Sequence, residues 1–359
     1  MLLLRWGKKL AAGGRPWSRI KNTGLSGKAP NHSIVGMKSL IIGLFLAVAH
    51  TLAGAEVLSG IPEIVFASEE RGRQALTNRD QFVQRLSPFD RAARLKTDQP
   101  VSEPDFLRFV GSNVLAFSDK DKANVSEAIQ KLKPLLQPYR LNWPASILMI
   151  KTTGKEEGNA AYTRENAIIL PAGKFGLNRS KQLERVLCHE LFHILSRHDP
   201  ALKNALYETI GFQECAELKL PKSWAWLTNP DAPVNDHWIR LKRNGKSLAA
   251  VPILLATPPK YDLKKGGEFF DYRSFKLLEV KVAADGAKSA TFDPSNPTLL
   301  DPGEVEGFFE QVGQNTDYII HPEEILAENF VLLTCGGEGV INPRIIAKMK
   351  KALQESARR

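Results

Sequence analysis

The sequence predicts an α+β fold with a mixed or antiparallel sheet, and three observations carry that prediction. Apolar residues recur at three- and four-residue spacing over 121–136 (Val125, Ile129, Leu132, Leu135, Leu136), the period of an amphipathic helix. Two strand-like runs follow it, Ser146 to Lys151 and Ala161 to Leu170. From 221 to 300 the pattern changes to Pro-rich loops and short strands, with Asn244-Gly245 and Asp285-Gly286 as hairpin signals, so a β-rich insertion is expected there.

Composition bounds the answer. The 359 residues are 43% hydrophobic and include 26 Gly, 22 Pro and three Cys, which excludes collagen, low-complexity disorder and a disulfide-dense mini-protein. The net charge of +10 is concentrated at the start: eight of the 49 basic residues and no acidic one lie in 1–55. Removing those eight leaves 41 basic against 39 acidic, a net of +2, so a nucleic-acid-binding surface loses its main support.

The leader has its own pattern. Met37-Lys38 supplies a positive start, Leu40 to Ala49 an apolar run, and Ala53-Gly54-Ala55 a small-residue cleavage site, so 37–55 reads as a secretory signal peptide. The run is shorter than the roughly 20 apolar residues a membrane helix needs, so no stable membrane span is expected after cleavage. Residues 1–36 are Gly-rich, basic and aperiodic, and are expected to be a misassigned upstream extension before a true start at Met37. The mature protein is then exported, periplasmic or secreted, where Cys215 with Cys335 is a possible bridge and buried free thiols are the alternative.

Residues 56–144 form a mostly helical N-terminal region, in which Phe82, Leu86, Phe89, Ala93 and Leu95 make one helical pattern interrupted by Pro88. The helix over 121–136 gives way at Pro138 and Pro144 to the two strands. A helix starting near Ser180 follows, then the insertion. Helices resume at Asp301-Pro302-Gly303-Glu304, again over Pro322 to Thr334 with Gly336-Gly337 as the stop, and lastly over 344–357.

Within the Ser180 helix lies Cys188-His189-Glu190-Leu191-Phe192-His193. At about 100° per residue His189 and His193 share a face, roughly 40° apart and one turn along, so their imidazoles can converge on one cation. Glu190 projects next to them, within reach of a metal-bound water; this is the His-Glu-x-x-His arrangement, with two zinc ligands and a general base. Val186, Leu187, Leu191, Phe192, Ile194 and Leu195 are apolar, so the helix reads as buried, and three buried ionisable groups need partners that a metal supplies together. The structural alternative is two core histidines and a surface Glu.

A catalytic zinc site needs a third protein ligand and an open position. His198 and Asp199 lie just past the helix, five and six residues beyond His193, with Ser196 where a turn glycine would suit Asp199 better. Farther on, His321-Pro322-Glu323-Glu324 opens a helix in which Glu324 and Glu328 share a face, one able to ligate and the other to hold a histidine by its second nitrogen. Glu324 is favoured, Asp199, Glu323 and His198 stay open, and an ordinary capping glutamate is the structural alternative for Glu324.

These residues resemble the zincin metallopeptidases of the gluzincin type, in which a later helix supplies a Glu followed four residues on by an acidic residue. The matching positions are His189, Glu190, His193, Glu324 and Glu328, and the likeness covers about 145–200 and 317–335. It implies a zincin-like domain over 145–359 with the 221–300 segment looping out between the zinc helices, and an edge strand over Ala161 to Ile168 that pairs with an extended substrate. It also implies a zinc hydrolase of peptide or protein substrates, with His189, His193 and Glu324 on Zn2+, Glu190 as base and Glu328 behind a ligand; apart from the resemblance, Tyr318 or His321, both near the ligand helix, is the expected donor to the oxyanion. A secreted non-catalytic zinc-binding or scaffold protein, or a zinc hydrolase of non-peptide amides or esters, are the alternative readings.

Overall fold

The computed structural model describes residues 61–175, 180–283 and 288–356. The upstream extension, the signal peptide and the Asp285-Gly286 turn lie outside the described residues.

A short strand, β1 (Glu63–Phe66), leads into four helices that each begin on a side-chain cap: α1 (Glu69–Leu76) on Ser68, α2 (Gln81–Arg85) on Asp80, α3 (Pro88–Arg94) on Ser87 and α4 (Glu103–Ser112) on Ser102. Each cap oxygen satisfies a backbone N–H that the first turn leaves unpaired. The single helical pattern expected across Pro88 is therefore two helices. Pro88 takes the first position of α3, where its missing N–H costs nothing, and Ser87 with Asp90 closes a capping box. After β2 (Val114–Leu115), α5 (Asp119–Leu136) starts on a second such box, Ser118 with Asp121.

The strand expected over 161–170 is a hairpin. β3 (Ser146–Thr152) is followed by β4 (Tyr162–Arg164) and β5 (Ala167–Pro171), and the reversal falls at Glu165, which takes a positive φ of 49°. The sheet runs β1-β3-β5-β4, with β1, β3 and β5 parallel, β4 antiparallel on the edge and β2 antiparallel to β3. Alternate residues of β3 and β5 face opposite ways: Ile147, Met149, Ile168 and Leu170 join the core under α5 and the next helix, α6 (Ser180–His198). Leu148, Ile150, Ala167 and Ile169 pack instead with Phe82, Phe106 and Val110 of the N-terminal helices. Both faces are covered, which is why these strands read as unbroken apolar runs, and the described residues form one compact unit.

α7 (Pro200–Thr209) and β6 (Phe212–Glu214) lead to the β-rich segment. β7 (His237–Arg243) and β8 (Lys246–Ala256) meet at Asn244-Gly245, where both residues take positive φ, 51° and 71°, as a tight hairpin turn requires. With β9 (Arg273–Val282), β10 (Ala290–Thr291) and β11 (Leu299–Leu300) they complete an antiparallel second sheet. The helix expected at Asp301 is a single 3-10 turn, Pro302–Glu304, ahead of the short α8 (Phe308–Val312). α9 (Pro322–Cys335) and α10 (Pro343–Ser356) close the described chain.

No described helix is long and apolar enough to cross a membrane. Cys188, Cys215 and Cys335 are free. Cys335 neighbours the thiol of Cys188, and Cys215 sits in the core of the second sheet, so the pairing considered for Cys215 with Cys335 does not form.

Candidate metal centre

The middle of α6 is apolar apart from His189, Glu190 and His193, and it is buried from Val186 to Ser196, between the first sheet, α5 and α9. Its polar groups must therefore find partners inside the protein. α9 crosses it and brings three glutamates to the two histidines. The imidazoles of His189 and His193 lie 4.7 Å apart between centroids. Their Nε2 atoms point at one oxygen, Glu324 Oε2, at 3.2 Å and 3.7 Å. Donors held about 2.0–2.1 Å from a tetrahedral zinc lie about 3.3 Å from one another, so the separations suit a metal between them. His193 Nε2 is buried with no hydrogen-bond partner, so a cation bound there would satisfy it. His189, His193 and Glu324 form a cluster that could hold a metal ion.

The other ring nitrogens face carboxylates. His189 Nδ1 is 3.0 Å from Glu328 Oε1, and His193 Nδ1 is 3.0 Å from Glu323 Oε1. Glu323 also accepts from Ser196 Oγ and Tyr207 Oη, each at 2.6 Å, so it is itself held in place. The hydrogen bond to Glu323 fixes the His193 ring and turns its Nε2 toward Glu324, while Glu328 lies behind His189 without a hydrogen bond to its Nδ1.

Charge balance in the metal-free site follows from this crowding. Burial pushes His193 down, but the carboxylates of Asp231 and Glu324 and the bond to Glu323 outweigh it and raise its pKa to about 9. Glu324 is disfavoured by burial, yet the two imidazoles and Asn229 hold it below the usual carboxylate range. Glu190 is raised by burial and by Asp231, and its Oε2 has no partner. A group so placed is suited to carry a proton.

The remaining residues named from the sequence take other places. Tyr318 stacks near-parallel to His189, 6.4 Å between centroids, on the wall of a cavity of about 40 Å3 shared with Glu190 and Glu324. Burial and the nearby carboxylates hold its hydroxyl well above its ordinary pKa, so it stays protonated and able to donate. His321 faces elsewhere: it caps α9, its Nδ1 accepting from the Glu323 N–H at 3.1 Å, and it lines a different cavity. Asp199 caps α7 through the Leu202 N–H, and His198, at the exposed end of α6, is outside the cluster. Glu323 orients His193 and is not one of the three clustered ligand atoms.

Two residues of the site were not foreseen. The start of the β-rich segment, expected to loop away entirely, folds into the centre. Asn229 donates to Glu324 Oε1 at 2.6 Å. Asp231 accepts from Thr163 N and Oγ1 at 2.6 and 2.8 Å, occupying the outer edge of β4, and it clusters with Glu190 and His193. In the sequence Asn229-Pro230-Asp231 carries only turn chemistry, which has no period to say where it points. No protein-family model matches the chain, and comparisons with curated proteins and with solved structures find no match.

Proposed function

We propose that the chain is an exported zinc-dependent peptidase of gluzincin type. The observation that carries the reading is the pair of histidines on α6, His193 hydrogen-bonded from behind to Glu323 and His189 with Glu328 close behind it, both aimed at Glu324 with Glu190 alongside. Two nitrogen donors and one carboxylate suit zinc and leave a coordination position open, as a catalytic site requires. Zinc, when bound there, would act as a Lewis acid and lower the pKa of water. Glu190 takes a proton from the attacking water and returns it to the leaving nitrogen, a task for which its raised affinity for protons is suited. Tyr318 donates to the carbonyl oxygen as charge develops on it. Export stands on residues 37–55 alone.

Asp231 supports a second reading. Its place beside His193 and Glu190 would allow a fourth protein ligand and a closed, non-catalytic zinc site. Metal analysis of the purified chain beside Glu324→Ala and Asp231→Ala, with a peptide-library screen, separates the two. The peptidase reading expects one zinc per chain, lost in Glu324→Ala, kept in Asp231→Ala, and accompanied by peptide cleavage. Zinc lost in both variants, with no cleavage by the unaltered chain, would favour the closed site; no zinc in the unaltered chain would end both readings.

A further inference from the structure

A cavity of about 560 Å3 lies beside the metal centre, and Asn229 lines both spaces. Its size falls within the range of ligand sites, about 300–1,000 Å3. The walls combine the junction of α2 and α3, the segment before β7, and β8 at Pro252 to Leu254. Leu86, Leu218, Leu227 and Ile253 are buried apolar wall residues.

The charge on this lining is one-sided. Arg85, Arg91, Lys219 and Lys222 face a single carboxylate, Glu217. Glu217 is already taken by Arg85, in a two-pronged pair at 2.7 and 2.8 Å. Arg91 is held by the carbonyl oxygens of Val101 and Leu86, at 2.8 and 3.0 Å, so its charge is positioned without being neutralised. Lys219 and Lys222 are exposed and have no carboxylate partner among the described residues. An apolar wall with uncompensated cations beside it selects a ligand that is apolar and anionic together.

We propose that this cavity binds a segment of the polypeptide substrate next to the cleaved bond, and that the segment is acidic and apolar. Its apolar side chain lies against Leu86, Leu218 and Ile253, and its carboxylates meet Lys219, Lys222 and Arg91. The inference rests on the peptidase reading, and Asn229 is the residue that lines both spaces.

The test measures fluorescence anisotropy of two labelled decapeptides, identical in apolar residues and flanked by Glu in one and Lys in the other. The protein is the full chain carrying Glu190→Gln, so that binding is read without turnover. The acidic peptide is expected to bind at least about tenfold tighter at low salt, the gap narrowing as salt screens the lysines. Lys219→Glu with Lys222→Glu should abolish or reverse the preference, whereas the same charge change at Lys350 and Lys351 on α10 should leave it intact. Equal affinities, or equal effects of the two double variants, would overturn the proposal. Cleavage of peptides without charge preference sinks this inference alone. A charge preference without any cleavage by the unaltered chain sinks the peptidase reading and leaves the binding site standing.

Discussion

Glu323 Oε1 lies 3.0 Å from His193 Nδ1, while its neighbour Glu324 faces the Nε2 atoms of both histidines. Two consecutive glutamates of α9 thus take opposite sides of the imidazole: one in position to ligate, the other bracing the ring from behind through Ser196 and Tyr207. The bracing residue has a measurable role of its own. Glu323→Gln is expected to weaken metal binding by about 10–100-fold while leaving one ion per chain at saturation. Competition against a chelator measures it, and an unchanged affinity would show that His193 is held by packing alone.

Glu190 has the opposite profile. Glu190→Gln keeps all three clustered ligand groups, so metal content should match the unaltered chain. Hydrolysis should fall by about 10²–10⁴-fold, the usual contribution of a positioned base. Metal analysis and turnover on one cleaved peptide decide this, and a zinc-loaded variant of full activity would remove Glu190 from the reaction.

The site should couple metal binding to pH. His193 in the metal-free protein has its pKa raised from 6.5 to about 9, so near neutrality a proton must leave before the ring can ligate. Affinity is therefore expected to rise with pH up to about 9, by about tenfold per pH unit for each proton released. The sign for the metal-free fold is reversed. A raised histidine pKa contributes stability that is complete below 6.5 and lost as pH rises through about 9. Thermal melts with and without zinc at pH 6, 7.5 and 9 should show the metal-free melting temperature falling and the zinc-induced gain growing. A zinc-induced gain independent of pH would contradict the raised pKa of His193.

Arg94 is a structural test of the same region. Its guanidinium bonds Asp90 at 2.7 Å and Glu157 at 2.7 and 2.6 Å with no solvent access, and reaches the Thr228 carbonyl at 3.2 Å. It joins α3, the turn after β3 and the segment that delivers Asn229. Arg94→Leu leaves two buried carboxylates without their partner, and about 3–5 kcal/mol of stability should be lost. Urea denaturation measures it; a loss below about 1 kcal/mol would mean water replaces the guanidinium.

Much of the centre was legible in one dimension because helix geometry is local. Spacing alone put His189 and His193 on one face with Glu190 beside them, and Glu324 and Glu328 on one face of a second helix, since 3.6 residues per turn leave little choice. The alternating strand faces followed the same logic once both proved buried, and Pro88, Asn244 and Gly245 acted through backbone preferences that need no distant partner. The tertiary structure decided what periodicity cannot: how α9 is rotated against α6, 135 positions apart at the closest pair of ligands. That rotation set Glu324 in front of the rings and Glu323 behind His193, and turned His321 into a cap. It also decided that Asn229 and Asp231 enter the centre and that 161–170 folds back at Glu165. Loops carry no period, and the direction of their side chains is set by the packing of the elements they join.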